Sequence, residues 1–288
     1  MKNTQDDFLR RFIFDKADVR GEYVSLRATW RTIQERRNYP PHVRSAIGEM
    51  TAAAALISAT LKFEGILELQ FKGTGAIQLM VVEVRNRKTL RATAKWSKDA
   101  GTNDQTTIFE SGILAITIKP DSDANTFQGI VETDNKSIAQ ALEGYMEKSE
   151  QIATRFWLES NNQRVVGIFL QKLPGGATSE EDWTRITALA ETVTQRELLS
   201  LECTDLLFRL FNEETVRVFD KEKLSFECTC SDQKISSMLL SMGREEVWSI
   251  LKERSSVDVT CEFCGKEYLF SEQGITKLFA SSVESNTN

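Results

Sequence analysis

Four of the five cysteines form two closely spaced pairs near the C-terminal end of the 288-residue chain. One residue separates Cys228 from Cys230, two residues separate Cys261 from Cys264, and thirty residues lie between the pairs. Zinc takes four ligands in a tetrahedron, and all-cysteine sites are usually two such pairs that the fold brings together. The spacing therefore predicts one zinc ion per chain, bound by these four thiolates.

The residues around the second pair bear on two other interpretations, four independent buried thiols or a thiol–disulfide enzyme. Gly265 follows Cys264 directly, and a glycine there can take a positive φ that turns backbone N–H groups toward the sulfurs. The pair also follows a strand-like run, Val257–Thr260, whereas the Cys-x-x-Cys of an oxidoreductase opens a helix whose N-terminus lowers the thiol pKa. Both features favour a metal site.

The chemistry of such a site leaves its purpose open. Zinc-bound thiolates remain nucleophilic, so an oxidant can attack them, and four sulfurs around one metal are close enough to pair once it leaves. Spacing alone nevertheless favours an inert zinc ribbon that only folds the tail.

Two other reactive side chains stand apart from this pattern. Cys203 shares a helical stripe with Leu199, Leu206 and Leu210, which is typical of a buried core thiol. His42 is the single histidine and follows two prolines at a helix start, where a capping or surface role is expected.

Composition limits the partners and the compartment. The formal net charge is −6, whereas binding to phosphate backbones needs a surplus of lysine and arginine, so nucleic acid is not expected as a partner. No run approaches the ~20 apolar residues of a membrane helix, and the N-terminus lacks the apolar core of a secretory signal. We therefore expect a cytoplasmic protein with no membrane partner, in a compartment where thiols stay reduced.

The pattern along the chain predicts an α+β fold in three regions. Residues 1–178 form a strand-rich N-terminal domain with inserted helices, and 179–226 a helical and charged linker region with at most a short strand after Asn212. Residues 227–288 form a small C-terminal four-cysteine zinc domain, which needs its metal because about sixty residues cannot build a strong core. The predicted strands are Leu9–Phe14, Val19–Leu26, Ile66–Lys72, Ile77–Val84, Leu90–Trp96, Ile113–Lys119, Phe127–Glu132, Ala153–Leu158 and Arg164–Gln171, and the helices are Pro41–Leu61, Ser137–Lys148, Glu180–Leu199 and Glu197–Phe211.

The chain resembles the redox-regulated, zinc-dependent heat-shock chaperones of about 33 kDa from the bacterial cytoplasm, and the resemblance covers nearly its whole length. The paired cysteines are highly specific to that family, and the other segments are moderately specific. The segments that carry the resemblance are FECTCS (Phe226–Ser231), SMGREEV (Ser241–Val247), CEFCGKEYLF (Cys261–Phe270), GYMEKSEQIATRFWL (Gly144–Leu158), LPGG (Leu173–Gly176) and LLFRLFNEETVRVF (Leu206–Phe219).

The resemblance implies a holdase that needs no ATP and is not an enzyme. In the reduced form Cys228, Cys230, Cys261 and Cys264 bind zinc and the protein is inactive. Oxidation is implied to form the disulfides Cys228–Cys230 and Cys261–Cys264, release zinc, unfold the tail and linker, and expose apolar surface. That surface binds unfolding client proteins, and the oxidised form is implied to be a homodimer.

Two other classes of function stay open at this point. A constitutive zinc-ribbon module for nucleic acid is weakened by the tail, since Ser225 to Asn288 holds six Lys/Arg and ten Asp/Glu, a balance of −4 before zinc. A thiol–disulfide oxidoreductase should turn over and show one thiol of low pKa.

Overall fold

The computed structural model describes residues 6–62, 64–97, 111–122, 125–133, 136–173 and 179–285. The chain divides into two compact units, residues 1–227 and residues 228–288. No helix in these ranges is long and apolar enough to cross a membrane.

The first unit is built from eleven described strands and six described helices. The strands are β1 (Phe8–Phe14), β2 (Val19–Leu26), β3 (Gly65–Gly73), β4 (Ile77–Arg85), β5 (Thr89–Trp96), β6 (Gly112–Pro120), β7 (Phe127–Glu132), β8 (Thr154–Ser160), β9 (Val165–Lys172), β10 (Val216–Lys223) and β11 (Ser225–Phe226). The helices are α1 (Ala28–Arg36), α2 (Pro41–Ser58), α3 (Ile138–Lys148), α4 (Glu180–Glu191), α5 (Gln195–Ser200) and α6 (Cys203–Phe211).

Two sheets and the helix α2 form the larger core of this unit. The five-stranded sheet has the order β10-β1-β2-β9-β8, and the six-stranded sheet has the order β11-β5-β4-β3-β6-β7. Strand β3 alternates buried and half-buried side chains, the pattern of a strand with one face on a core. Helix α2 is apolar almost all round, as expected of a helix in the interior, and it packs against strands of both sheets.

A second apolar cluster covers the other face of the five-stranded sheet. Strand β9 is buried at seven of its eight positions because both of its faces are packed. Helices α4 and α6 supply Trp183, Ile186, Leu206 and Leu210 to this cluster. Ring contacts join the layers, with the Phe14 and Phe211 centroids 5.0 Å apart.

The second unit is much smaller. It contains α7 (Asp232–Met242), α8 (Arg244–Glu253), β12 (Ser256–Thr260), β13 (Glu267–Ser271) and α9 (Glu272–Ser285). Strands β12 and β13 pair as an antiparallel hairpin, with Val257 opposite Phe270 and Val259 opposite Tyr268.

The α+β fold class is confirmed, and so are all nine predicted strands to within two residues at each end. Three local expectations were wrong. Helix α1 was not predicted. The two helices expected over Glu180–Leu199 and Glu197–Phe211 are three, α4, α5 and α6, because Thr194 starts α5 with a capping box to Glu197 and Leu201 is extended between α5 and α6. The segment expected to hold at most a short strand contains β10, an eight-residue strand that pairs with β1.

Residues 179–226, expected as a linker region, pack as part of the first unit. The division of the chain into three functional regions stays a prediction. Residues 174–176 of the LPGG segment lie outside the described residues.

Candidate metal centre

The first cysteine pair lies in the segment between β11 and α7. Ser231 ends this segment as the N-cap of α7, and its Oγ accepts a hydrogen bond from the N–H of Lys234. Such a cap fixes where a helix begins. Cys230 is thereby held directly before the first turn of α7, and both Cys228 and Cys230 are half-buried.

The second pair lies in the turn between β12 and β13. The N–H of Cys261 donates to the carbonyl oxygen of Lys266 at 2.9 Å, and the N–H of Gly265 donates to that of Cys261 at 2.8 Å. Gly265 has a φ of 69°, in the left-handed region that glycine enters at no steric cost, which confirms the expected positive φ. This turn lets the N–H of Lys266 donate to the sulfur of Cys264.

The four predicted sulfurs come together in one cluster. Cys228 Sγ lies 3.6 Å from Cys261 Sγ, Cys230 Sγ lies 3.4 Å from Cys264 Sγ, and all four lie within 4.8 Å of one another. A tetrahedral zinc with Zn–S bonds of about 2.3 Å holds its sulfurs about 3.8 Å apart. Four soft thiolate donors also suit zinc better than magnesium or calcium. The cluster is therefore compatible with a bound metal ion.

The thiols of the cluster do not ionise alike. Burial opposes ionisation of Cys230, but the Tyr268 hydroxyl and the three other thiols outweigh it and lower the pKa of Cys230 to about 7. Burial and the neighbouring thiols raise the pKa of Cys264 to about 12, against the N–H of Lys266. The Cys230 thiol is therefore the easier of the two to deprotonate, whereas the Cys264 thiol keeps its proton. A bound cation would stabilise every thiolate and so promote loss of the remaining protons.

Tyr268 is a member of this site that the spacing argument missed. It is buried on β13 beside Cys230, which raises the pKa of the Tyr268 hydroxyl. That hydroxyl has no well-aligned hydrogen-bond partner in the described part of the chain. Lys266 lies over the Tyr268 ring, with Nζ 4.6 Å from its centroid. The sequence could have indicated Tyr268 through the alternation of side chains along β13, which places Tyr268 on the buried face.

The apolar support of the cluster is thin. Leu239, Val247, Val257 and Ile275 form the buried apolar cluster described for this unit, with half-buried side chains around them. The Trp248 ring packs edge-on against Phe279 with centroids 5.4 Å apart. So few buried side chains cannot fix a fold of this length by hydrophobic burial alone.

Cys203 and His42 belong to the first unit, whereas the four clustered cysteines belong to the second. Cys203 is buried at the start of α6, and burial raises the pKa of its thiol to about 12, so it stays protonated and is a poor nucleophile. Its expected stripe was partly wrong, because Leu199 belongs to α5. His42 is also buried, it makes no cap at α2, and burial lowers its pKa. The expected capping or surface role was wrong.

A family model described as Hsp33 protein matches residues 7–271 of this chain. The chain belongs to the Hsp33 family. Two relatives named 33 kDa chaperonin match almost end to end. The protein from Nitrosococcus oceani is 44% identical over 96% of each chain, and that from Chromobacterium violaceum is 43% identical over 98% of this chain and 97% of its own.

A solved structure agrees on the fold. The crystal structure of the 33 kDa chaperonin, a heat shock protein 33 homologue, from Thermotoga maritima superposes with a TM-score of 0.81. It is 21% identical and covers 97% of this chain and 99% of its own. The expected family is confirmed, and membership identifies a chaperone that binds client proteins. The parts played by the individual cysteines stay predictions.

Proposed function

We propose that this Hsp33 chain is a redox-switched holdase that works without ATP and is not an enzyme. Reduced Cys228, Cys230, Cys261 and Cys264 bind one zinc ion and keep the chaperone inactive. The observation that carries the proposal is the clustering of these four sulfurs within 4.8 Å in a unit with a thin apolar core.

Oxidation forms two disulfides, Cys228–Cys230 and Cys261–Cys264, as the family resemblance implies. Forming each disulfide transfers two electrons from its two thiolates to the oxidant. One hydrogen peroxide molecule per bond takes up these electrons and two protons, its O–O bond breaks, and two water molecules leave. Disulfide sulfurs no longer bind zinc as thiolates do, and the metal leaves.

Loss of zinc then unfolds the second unit. A structural zinc site contributes about 10–16 kcal/mol to folding, well beyond what so small a cluster of apolar side chains adds. Unfolding exposes the residues of that cluster, including Leu239, Val247 and Trp248. Exposed apolar surface binds other apolar surface, which is what holding an unfolding client requires.

The expected partners and compartment follow from this proposal. Clients are unfolding proteins, and the oxidised form is a homodimer, as the resemblance implies. The net charge of −6 supports clients over nucleic acid. Five cysteines and a thiol-based switch fit a reducing cytoplasm with no membrane partner.

Two alternatives remain as outcomes of the test, an inert zinc ribbon and a thiol–disulfide oxidoreductase. The lowered pKa of Cys230 would suit the second. However, Cys261 and Cys264 lie in a hairpin turn, and Cys228 and Cys230 are too close in sequence for the usual Cys-x-x-Cys pair at a helix start.

The decisive experiment measures holdase activity and zinc content in the same samples of reduced and peroxide-oxidised protein. Suppressed aggregation of a thermally unfolding client should appear only after oxidation and rise as zinc falls. The Cys264→Ser variant should bind zinc weakly, whereas Cys203→Ser, which removes a thiol outside the cluster, should keep zinc and switching. Oxidised protein that loses zinc without gaining activity would indicate an inert ribbon.

A further inference from the structure

Tyr268 carries a buried hydroxyl beside the sulfur cluster. The residue is 3% exposed, and its hydroxyl has no well-aligned hydrogen-bond partner among the described residues. A buried hydroxyl destabilises the folded state unless an acceptor takes its proton into a hydrogen bond. The group that this hydroxyl approaches as a donor is the sulfur of Cys230.

The hairpin holds Tyr268 in this place. Tyr268 lies opposite Val259 in the register of β12 and β13, and it is buried between two exposed neighbours on β13. The ammonium of Lys266 lies over the ring, 4.6 Å from its centroid, and is 4.0 Å from Asp232 Oδ2 in the first turn of α7. Because the hydroxyl oxygen lies on the long axis of the ring, the contacts that hold the ring also hold the oxygen beside the cluster.

A hydroxyl donor changes the chemistry of a thiolate in a definite direction. A hydrogen bond to a charged acceptor is about twice as strong as one between neutral groups. Donors outside the ligand shell orient metal ligands and tune their reactivity. The nucleophilicity of a thiolate falls as its sulfur becomes less basic. A thiolate that accepts a hydrogen bond therefore attacks an oxidant more slowly than the same thiolate without one.

We propose that Tyr268 is a positioning residue that protects Cys230 from oxidation, because its hydroxyl donates a hydrogen bond to the Cys230 thiolate of the zinc-loaded protein. Peroxide oxidises a thiolate when the sulfur attacks one oxygen and the O–O bond breaks, which leaves a sulfenic acid and a hydroxide ion. The hydrogen bond slows this attack at Cys230. Tyr268 thereby raises the amount of oxidant that the switch needs.

Cys264 provides an internal reference within the same cluster. Its donor is the backbone N–H of Lys266, which remains in any variant that changes Tyr268 alone. The Tyr268 hydroxyl, in contrast, can be removed by itself, since phenylalanine keeps the ring that Lys266 covers. Cys230 and Cys264 have their sulfurs 3.4 Å apart, and only Cys230 would lose its donor.

This inference rests on the proposed zinc switch and adds the residue that sets its sensitivity to oxidant. Tyr268 and the four cysteines all belong to the second unit. The argument for the hydrogen bond therefore needs no residue of the first unit.

The test is the rate at which iodoacetamide alkylates each cysteine of the reduced, zinc-loaded protein, followed by mass spectrometry. In this reaction the thiolate sulfur attacks the methylene carbon of the reagent and iodide leaves. In Tyr268→Phe the rate at Cys230 should rise about three- to tenfold, whereas the rate at Cys264 should not change. Comparing the same cysteine in two proteins cancels differences in access. Zinc release in dilute peroxide should also be faster in this variant.

Two control variants separate the hydroxyl from the packing around it. Val259→Ala loosens the strand opposite Tyr268 without removing the hydroxyl, and it should affect the four cysteines alike. Tyr145→Phe removes a hydroxyl of the first unit that donates to Glu150 at 2.8 Å, and it should leave all four rates unchanged.

Three results would overturn the inference while leaving the zinc switch in place. They are equal rates at Cys230 in the parent and in Tyr268→Phe, a rise at all four cysteines, and loss of zinc from Tyr268→Phe. The last two would give Tyr268 a general structural role in place of a selective one. A parent protein that binds no zinc would instead overturn the proposed function, and this inference with it.

Discussion

The two units of the molecule reach a folded state by different means. In the first, two sheets enclose α2, and a second layer of helices covers the far face of the five-stranded sheet. In the described part of the second, a hairpin and three helices carry a small buried apolar cluster and a cluster of four sulfurs. Burial of apolar surface is enough for a domain of the first size and insufficient for the second. The contrast teaches that a metal in the second unit would decide whether that unit folds at all.

Removing the metal is the strongest test of whether only the second unit depends on it for folding. Zinc chelation from the reduced protein should abolish protection from hydrogen exchange in α7, α8 and β12, because a structural zinc contributes about 10–16 kcal/mol. Strands β2, β3 and β9 should keep their protection, since the four clustered cysteines belong to the other unit. Hydrogen exchange with mass spectrometry separates the two. Unchanged protection in the second unit after complete zinc loss would show that its apolar cluster suffices.

Sequence reasoning succeeded in the first unit where pattern and packing agree. The side chains of β3 alternate between buried and half-buried because one face of the strand lies on the core, and α2 has a proline in its first turn. Both elements could therefore be predicted from the sequence. It failed at β10. The charged residues of this segment suggested a solvent-exposed linker, but its backbone pairs with β1, more than 200 residues away in sequence. Strand β10 shows little hydrophobic pattern because packing does not constrain its exposed side chains.

The cysteine cluster was predictable for a different reason. Metal ligands are few, specific in type and fixed in spacing. Spacing alone therefore identified the four cysteines Cys228, Cys230, Cys261 and Cys264, without knowledge of the fold. Tyr268 did not, because a tyrosine beside a sulfur carries no spacing rule. Spacing in the sequence also does not predict which sulfurs touch, since contacts of 3.6 and 3.4 Å join Cys228 to Cys261 and Cys230 to Cys264.

Arg164 offers a second test, with a smaller expected effect, of whether the first unit is stabilised independently of the metal site. This arginine is 1% exposed and has no carboxylate partner among the described residues. Its guanidinium donates to Ser25 Oγ at 3.0 Å, to the Tyr23 hydroxyl at 2.6 Å, and to the carbonyl oxygens of Leu199 and Leu201 at 3.3 and 3.1 Å. It therefore ties the junction of α5 and α6 to the five-stranded sheet.

Arg164→Met keeps most of the side-chain volume and removes all four hydrogen bonds. Because it removes the donor to two buried hydroxyls and two carbonyls, we expect the first unit to lose about 2–4 kcal/mol in urea denaturation. Zinc content, a property of the second unit, should not change. Arg155→Met, at a half-buried arginine on β8, should cost less than about 0.5 kcal/mol. Equal effects of the two substitutions would contradict the role given to Arg164.

The smallest expected effect concerns pH and belongs to the first unit alone. Glu22 is 2% exposed on β2, and its Oε2 has no hydrogen-bond partner among the described residues. Burial raises the pKa of Glu22 from 4.5 to about 8, although Arg20 and Arg11 oppose the shift. Between these two pH values the folded chain holds a proton that the unfolded chain has released. Stability of the first unit therefore falls as pH rises through this window and falls no further above it.

Glu22→Gln removes this proton and its pH dependence while keeping the shape of the side chain. The variant should match the parent near pH 5 and be more stable near pH 9 by about 1–3 kcal/mol, measured as free energy of unfolding in urea. Glu35→Gln makes the same substitution at an exposed glutamate and is the matched control. A first unit whose stability is flat from pH 5 to 9 would mean that Glu22 stays ionised, paired with Arg20 or Arg11. Any pH dependence of stability seen in the whole chain would then come from the second unit, where protons compete with metal for the thiolates.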